Sequence, residues 1–331
     1  MNLPEGRILV TGGAGFIGSA LVHALNELGR EDILVTDLLG STEKWHNLVP
    51  LKFDDYLEGD QLLEKIEEED KGLDDIGLIL HLGACSSTME ADAAYLIRNN
   101  YQYTVALADW VIKRDVRFVY ASSAATYGDG SQGMDDQSDD LAALRPLNMY
   151  GYSKHMFDLH AQRNGWLDKI TGLKYFNVYG PNENHKEEMR SLVNKAFHQI
   201  GESGRLKLFR SHRPDYEDGE QRRDFLYVKD AVAMTLHLAA CPEATGLYNL
   251  GSGEANTWLA LSAAIFAAMD RKPQIDFIDI PESIREKYQY FTQADISKLR
   301  ATGYDKPLTP LTEAVGDYIR NYLATGKRLG E

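Results

Sequence analysis

Two residues four positions apart in this chain could carry a proton to and from an alcohol. Tyr150 and Lys154 would lie on one face of a helix. There the lysine ammonium can lower the pKa of the phenol, which is about 10 in an unperturbed tyrosine. A phenol activated in this way can take a proton from an alcohol and return it. The pair would be the acid–base half of a hydride-transfer site.

The N-terminal region predicts the other half, a loop that binds a dinucleotide. Residues 11–18 read Thr-Gly-Gly-Ala-Gly-Phe-Ile-Gly, between an apolar strand pattern and an amphipathic helix pattern. Glycines permit a tight turn and a close backbone approach, and a helix N-terminus favours a pyrophosphate. The expected cofactor contacts here are Gly12, Gly15, Phe16, Ile17 and Gly18.

The end of the second predicted strand bears on the choice of nicotinamide cofactor. Asp37 lies roughly 20 residues beyond the glycine loop, where an acid usually bonds the ribose 2′-hydroxyl and favours NAD. Leu38 follows it, and Lys44 could instead face the 2′-phosphate of NADP. These residues leave NAD and NADP both open.

A run of small residues after the fourth predicted strand would let the backbone pass close to a cofactor. Its members are Leu82, Gly83, Ala84, Cys85 and Ser86. We interpret Cys85 as a small buried side chain rather than a catalytic thiol, because no neighbouring base is evident to activate it. Asn99, in the next helix, is either a cofactor-facing polar group or an exposed residue.

Strand and helix patterns alternate through the first half of the chain. Apolar runs predict strands at residues 7–11, 33–35, 51–53, 77–82, 117–121 and 172–176. Helical patterns lie between them, at residues 14–28, 58–69, 90–114 and 148–164. This alternation predicts an α/β fold, a Rossmann-type doubly wound parallel sheet with helices on both faces.

After residue 178 the alternation stops, and helical patterns at 225–240 and 257–269 mix with strand patterns at 247–250 and 275–278. We predict a dinucleotide-binding domain over residues 1–177 with a return segment near 225–250. Residues 178–331 would form a smaller, interleaved α/β portion that mainly binds substrate at the carboxyl ends of the sheet strands.

Composition narrows the partners. The 331 residues are 44% hydrophobic, which is ordinary for a soluble protein. A net charge of −15 argues against nucleic acid or an anionic membrane as the main partner. Two widely separated cysteines, Cys85 and Cys241, form no disulfide or zinc pattern and predict no metal. With no secretory signal or membrane-spanning run visible, we expect a cytoplasmic protein.

A serine motif completes a family resemblance. Ser123 stands in Ala-Ser-Ser-Ala-Ala-Thr-Tyr-Gly at residues 121–128. Together with the glycine loop, Tyr150 and Lys154, it resembles the extended short-chain dehydrogenase/reductase family over essentially the whole chain. Within that family the chain is similar to the ADP-glycero-manno-heptose 6-epimerase branch. The finer resemblance rests on residues 83–88, 99–103, 121–128, 176–181, 185–186, 223–225 and 291–295.

The resemblance implies a reaction and its setting. C6 of an ADP-linked heptose is oxidised to a ketone by a tightly held NADP, and the hydride returns to the opposite face. The product serves lipopolysaccharide core synthesis in the bacterial cytoplasm, and the enzymes are homo-oligomers, commonly pentamers. Inversion requires acid–base help from both faces, which the resemblance assigns to Tyr150 and Lys186.

The resemblance also implies further contacts. Ser123 would hydrogen-bond the reacting oxygen, Lys154 would bind the nicotinamide ribose, and Val178 and Lys186 would contact the cofactor. The residues expected at the substrate are Ser123, Asn177, Glu188, Lys195, Phe209, Ser211, Arg223 and Tyr288.

Two other functions stay open at this stage. A sugar-nucleotide 4-epimerase would share the serine, tyrosine and lysine but would not need Lys186 as a base. A non-catalytic, NADP-binding regulator of the same fold usually lacks part of the Tyr–Lys pair. A dehydratase typically carries Asp-Glu where this chain has Ala124 and Ala125. Residues 214–221 form an acidic insertion relative to the resembling branch, and its role is open.

Overall fold

Seven of the described strands form one parallel β-sheet. The computed structural model describes residues 1–285 and 288–331. Its strands are β1 (Arg7–Thr11), β2 (Ile33–Asp37), β3 (Asp55–Glu58), β4 (Ile76–His81), β5 (Arg117–Ser123), β6 (Thr171–Tyr175), β7 (Asn177–Tyr179), β8 (Leu206–Phe209), β9 (Arg222–Tyr227), β10 (Gly246–Leu250), β11 (Ala255–Thr257) and β12 (Ile275–Ile278). The parallel sheet has the spatial order β3-β2-β1-β4-β5-β6-β10.

Helices cover both faces of this sheet. The helices of the described residues are α1 (Phe16–Glu27), α2 (Gly59–Glu67), α3 (Ala93–Leu96), α4 (Tyr103–Arg114), α5 (Met149–Arg163), α6 (Leu192–Ser203), α7 (Val228–Ala239), α8 (Trp258–Ala268), α9 (Glu282–Arg285), α10 (Ser297–Ala301) and α11 (Leu311–Asp317). Helices α1 and α7 pack on one face, and α2, α4 and α5 on the other. Across the described ranges, no helix has the length and apolar character needed to cross a bilayer.

Successive side chains of the central strand β1 point to opposite faces of the sheet, and helices cover both faces. Ile8 and Val10 pack into the core beneath α1 and α7. Leu9, between them, packs into the core beneath α2 and α4. All three side chains are buried, as expected for a strand with helices above and below it.

The parallel arrangement brings the functional loops to one edge. Thr11 is in register with Thr36 of β2 and with His81 of β4. His81 in turn is in register with Tyr120 of β5. The segments that follow β1, β2, β4 and β5 therefore lie side by side at the carboxyl edge of the sheet, where doubly wound folds bind ligands.

Two small sheets lie beyond this edge. Strand β9 pairs with β7 in parallel and with β11 in antiparallel fashion, and β8 pairs with β12. Strand β10 returns to the large sheet beside β6. The later half of the chain therefore contributes both to the large sheet and to the structure above its carboxyl edge.

The predicted α/β doubly wound sheet is confirmed, with three local differences. The strand expected at 51–53 is wrong, because β3 begins at Asp55; this edge strand is only partly buried and lacks an apolar run. The helix expected over 90–114 begins at Ala93 and contains a π-helical turn at Ile97–Gln102. The helical pattern from 225 begins instead as strand β9.

Candidate active site

The glycine loop leaves no room for side chains at its closest approach. Gly12 has φ +67°, and a Cβ there would lie 2.8 Å from the backbone nitrogen of Gly83. The loop after β1 and the loop after β4 are thus in backbone contact. In the described part of the chain no side chain caps the N-terminus of α1 at Gly15. The close-packed glycines and the uncapped helix end fit a dinucleotide pyrophosphate.

Asp37 and Lys44 form an ion pair beside this loop. The Lys44 ammonium lies 2.5 Å from a carboxylate oxygen of Asp37, and both side chains are largely buried. The other carboxylate oxygen accepts a hydrogen bond of 3.0 Å from the Ala14 backbone. Leu38 follows with half of its side chain exposed. The structure brings all three predicted ribose-end residues to one place.

The loop after β4 is held by a residue that the sequence analysis missed. Asn100 is fully buried; its side-chain oxygen accepts from the Cys85 backbone N–H, and its amide donates to the Cys85 carbonyl. The amide also donates to Ser153 of α5 at 2.9 Å. Asn99 instead donates to the Tyr95 carbonyl of its own helix. The π-helical turn Ile97–Gln102 contains Asn100, and this irregularity places the Asn100 side chain between the loop after β4 and helix α5.

The predicted serine, tyrosine and lysine come together where β5 ends and α5 begins. Ser123 is the last residue of β5; burial raises the pKa of the Tyr150 phenol, and the Ser123 hydroxyl opposes that rise. The Lys154 ammonium donates 2.8 Å to the Ala121 carbonyl of β5. These contacts join the three side chains to one strand end and one helix face.

Helix α5 reaches this position because of two residues at its start. Asn148 caps the helix by accepting a hydrogen bond of 2.8 Å from the Gly151 backbone. A Cβ on Gly151 would lie 2.7 Å from the Ala125 carbonyl oxygen. Glycine therefore lets the first turn of α5 press against the turn after Ser123.

The pKa values differ from the simple expectation of a lysine-activated phenol. Burial is the largest influence on Tyr150 and raises its pKa, and the Ser123 hydrogen bond opposes that effect. Burial lowers the pKa of Lys154 to about 8. Cys85 is half-buried and its pKa is raised by burial, which agrees with a non-catalytic thiol.

Lys186 lies next to the glycine loop although it is far away in sequence. Its ammonium is 5.2 Å from the centre of the Phe16 ring, on the first turn of α1. Burial lowers its pKa, against the opposing charge of Glu183. A solvated surface lysine would have neither the aromatic contact nor a pKa lowered by burial. The structure therefore places Lys186 within the candidate site.

Asn47 secures the Lys186 turn and was also missed from the sequence. It is buried, and its amide donates to the Ala14 carbonyl at 3.0 Å and to the Asn182 carbonyl at 3.1 Å. It also lies 3.3 Å from a ring nitrogen of His185, whose pKa burial lowers to about 4. One side chain thus links the glycine loop to the turn that presents Lys186.

Several predicted substrate residues form an aromatic group around an arginine. The Arg223 guanidinium lies 5.2 Å from the Tyr288 ring centre and 5.9 Å from that of Trp258. Trp258 donates to the Tyr288 hydroxyl at 2.9 Å, and the Phe209 ring meets Tyr288 edge-on. Burial lowers the pKa of Arg223 to about 10, so the guanidinium stays charged at neutral pH.

The remaining substrate predictions are placed around this group or apart from it. Asn177 is exposed at the start of β7 and accepts from Thr292 at 3.4 Å. The Ser211 hydroxyl donates a hydrogen bond of 2.9 Å to the Arg213 carbonyl. Glu188 and Lys195 are exposed near Lys186, and the Lys195 ammonium donates to the Glu188 carbonyl.

The remaining cofactor predictions lie along the same edge. Gly83 donates its backbone N–H to the Thr11 hydroxyl at 2.9 Å, which ties the two loops together. Ile17 and Val178 are partly buried against the core beside them. The other positions in this set are Gly18, Leu82, Ala84 and Ser86.

The acidic insertion is an ordered turn beside Arg223. The Tyr216 ring packs 4.9 Å from Tyr290, centre to centre, and Asp218 accepts from the Ser211 backbone. Arg213 pairs with Asp215 and lies over the Tyr290 ring. An aromatic contact between Tyr290 and Tyr288 then joins the insertion to the substrate group.

Comparison with known proteins places this geometry in a family. The model of the NAD dependent epimerase/dehydratase family matches residues 8–251. This chain belongs to that family. A protein of Nitratidesulfovibrio vulgaris named ADP-L-glycero-D-manno-heptose-6-epimerase is 51% identical over 316 residues, which are 96% of this chain and 98% of that protein. A protein of the same name from Fusobacterium nucleatum is 43% identical over 326 residues, with 96% and 98% covered.

A solved member of the family shares the whole architecture. The crystal structure of Helicobacter pylori ADP-L-glycero-D-manno-heptose-6-epimerase superposes with a TM-score of 0.79 at 26% identity, covering 97% of each chain. The resemblance predicted from the motifs is confirmed. Membership of the NAD dependent epimerase/dehydratase family implies a nicotinamide cofactor.

Proposed function

We propose that this chain inverts C6 of ADP-glycero-manno-heptose by transient oxidation and reduction. The observation that carries the proposal is the assembly of Ser123, Tyr150 and Lys154 at one strand end, with Lys186 beside the glycine loop. Full-length relatives that bear the name of this epimerase support the choice of substrate.

In the proposed mechanism Tyr150 moves the proton on one face of the reacting carbon. Ser123 would hydrogen-bond the substrate oxygen, because its hydroxyl lies close enough to the Tyr150 phenol to oppose the rise in pKa that burial causes there. Lys154 holds its ammonium at the end of β5 and stabilises negative charge on the phenolate. Lys186 serves the opposite face, since its lowered pKa eases proton release and uptake by the amine.

A nicotinamide held by the glycine loop would supply the hydride acceptor and donor for this reaction. We propose NADP as the preferred form, with NAD as the alternative. The Asp37–Lys44 pair supports NADP, because Lys44 compensates the carboxylate and offers a cation at the ribose end of the glycine loop. A lone aspartate there would repel a 2′-phosphate.

We propose that residues 1–177 and the return segment near 225–250 hold the cofactor, and that residues 178–331 mainly hold the substrate. Arg223 is suited to the ADP diphosphate, because a guanidinium can bind phosphate oxygens in pairs. Its neighbours Tyr288, Trp258 and Phe209 exclude water from that contact. Water exclusion strengthens the charged hydrogen bonds.

The deciding experiment follows the C6 configuration of ADP-glycero-manno-heptose by NMR during incubation with the purified protein. Interconversion of the two C6 epimers, with no net consumption of cofactor, is the expected result. A UDP-hexose incubated in parallel should keep its C4 configuration. Turnover of the UDP-hexose with an unchanged heptose would establish a 4-epimerase instead.

A further inference from the structure

Behind the catalytic face of α5 lies an ion pair that is closed off from solvent. Asp158 of α5 and Lys174 of β6 are both 0% exposed, and the ammonium lies 2.9 Å from a carboxylate oxygen. Neither residue was among the predicted site residues. Full burial of two charges is costly unless other polar groups satisfy them.

Polar neighbours satisfy both charges. The Tyr120 hydroxyl donates to one oxygen of Asp158 at 2.9 Å, and the Ser122 hydroxyl donates to the other at 2.8 Å. The Lys174 ammonium donates to the Thr126 hydroxyl at 2.6 Å and lies 4.8 Å from the Tyr127 ring centre. The network is thus a fully connected polar cluster inside an apolar core.

Residues of this network lie close to the proposed catalytic residues in the chain or bond to them. Asp158 lies one helical turn beyond Lys154 and two beyond Tyr150 on α5. Ser122 directly precedes Ser123 in β5. On the other side, the Thr126 hydroxyl donates to the Ser123 carbonyl at 2.8 Å. The network therefore fixes α5, β5 and the turn after β5 relative to one another.

Stability alone does not account for such a pair. Buried ion pairs can often be replaced by apolar side chains without loss of stability, and in some proteins they specify one packing geometry instead. Apolar side chains would permit small slides of α5 along the sheet. Charged partners with fixed hydrogen-bond directions do not.

We propose that the Asp158–Lys174 pair is a positioning device that holds Tyr150 and Lys154 in register with Ser123 and supplies the negative field behind the Lys154 ammonium. The inference rests on the proposed roles of Tyr150 and Lys154. It goes beyond them by naming the residues that set their geometry from behind, without touching substrate or cofactor.

The surroundings of Lys154 make Asp158 the anionic group of consequence. Burial lowers the pKa of Lys154, and the charge of Asp158 acts against that effect, followed by Cys85. From β4, His81 also faces the ammonium, and burial keeps the pKa of its ring well below the usual value, so it is neutral. Burial likewise raises the pKa of the Tyr150 phenol.

Groups around the pair itself are neutral at physiological pH. Burial and the charge of Asp158 raise the pKa of Tyr120. Burial also raises the pKa of Tyr127. His155, next on α5, has its pKa lowered by burial. On this side of Lys154, the charge that acts on its ammonium is therefore that of Asp158.

The test removes both charges together, in the double variant Asp158→Asn/Lys174→Met. Because the shapes are kept and no charge is left unpaired, we expect the thermal midpoint to stay close to that of the wild type. We expect kcat to fall at least tenfold with little change in KM. In the pH profile of kcat, the fall at alkaline pH (the alkaline limb) should move to lower pH. The reason is that the Lys154 ammonium loses the nearby negative charge of Asp158.

The matched control is Asp317→Asn/Lys229→Met, which removes an ion pair of 2.7 Å that lies away from α5. It should leave kcat and the alkaline limb unchanged. Lys174→Arg, which keeps the charge, should retain the wild-type position of the limb. An unchanged kcat in the Asp158/Lys174 double variant, or a lower kcat with an unmoved limb, would overturn the proposal.

A second variant covers the case in which the double variant does not fold. Ser122→Ala keeps both charges and removes one hydrogen-bond donor to Asp158. We expect a kcat several-fold below wild type with intact cofactor binding, and full activity would refute positioning by the network. Undiminished turnover in Tyr150→Phe and Lys154→Met would instead refute the proposed catalytic roles of Tyr150 and Lys154. That conclusion would not depend on the results for the Asp158, Lys174 and Ser122 variants.

Discussion

The Lys186 ammonium lies 5.2 Å from the centre of the Phe16 ring. Phe16 opens helix α1 directly after the glycine loop, so the second proposed base stands beside the predicted cofactor site. In the proposed mechanism, Lys186 is the residue that makes inversion possible in addition to oxidation.

We expect Lys186→Met to lower the rate of C6 inversion by about 10²- to 10⁴-fold, the usual contribution of a positioned acid or base. NMR of the heptose measures inversion, and quenching of protein fluorescence measures cofactor binding, which should persist. Lys113→Met, at an exposed lysine of α4, is the control. Wild-type inversion by the Lys186 variant would remove this residue from the mechanism.

The pH dependence should carry the signature of Lys154. Burial lowers its pKa to about 8, so the ammonium is present below that pH and is lost above it. Because the proposed role needs the charged form, kcat/KM should fall as pH rises through about 8. In Lys154→Arg, residual activity should show no such fall up to pH 10, since a guanidinium remains protonated. An identical limb in both proteins would assign it to another group.

Lys44 should set the preference between the two nicotinamide cofactors. We expect Lys44→Met to weaken NADPH binding by about 10- to 100-fold, the worth of one charge-assisted hydrogen bond. NADH binding should change far less, because NADH has no 2′-phosphate. Lys52→Met, at an exposed ion pair with Glu31, is the control for isothermal titration. Equal losses for the two cofactors would contradict a 2′-phosphate contact.

Glu187, next to Lys186, has φ +48° and ψ −120°, a conformation that glycine adopts at much lower cost. We expect Glu187→Gly to raise the free energy of unfolding by about 1 kcal/mol. Glu187→Ala, which keeps the backbone strain, should not. Thermal denaturation of the two variants measures the difference. A stabilised alanine variant would show that the glutamate side chain, and not the backbone, is unfavourable.

Arg223→Lys keeps the charge but loses the planar stacking on Tyr288 and the paired donors. We expect KM for the ADP-heptose to rise about tenfold, the scale of one charged hydrogen bond, while kcat changes little. Steady-state kinetics measure both. Arg222→Lys, at the exposed neighbouring arginine, should leave KM at its wild-type value.

Motifs made of neighbouring residues were predictable from the sequence, whereas long-range polar contacts were not. The glycine loop, the β5 serine and the Tyr–Lys helix have local signatures and were placed correctly in the fold. Asn47 and Asn100 act through contacts with residues far away in the chain. The sequence around either asparagine does not show which distant groups its side chain bonds.

The pKa values of the site residues were also not predictable from the sequence. The spacing of Tyr150 and Lys154 predicted an activated phenol, but burial raises the pKa of Tyr150 and is the largest influence on it. Burial depends on the packing of α5 against the turn after β5, which the spacing does not encode. The same holds for Asp158 and Lys174, which look like surface charges in the sequence.

The short 3₁₀ turn Glu43–Asn47 carries both Lys44 and Asn47. Lys44 meets the ribose end of the glycine loop, and Asn47 bonds the turn that presents Lys186. We therefore expect a ligand that binds Lys44 to affect the alignment of Lys186, the proposed second base. A substitution at 43–47 that changes the coenzyme preference should then also change the rate of C6 inversion.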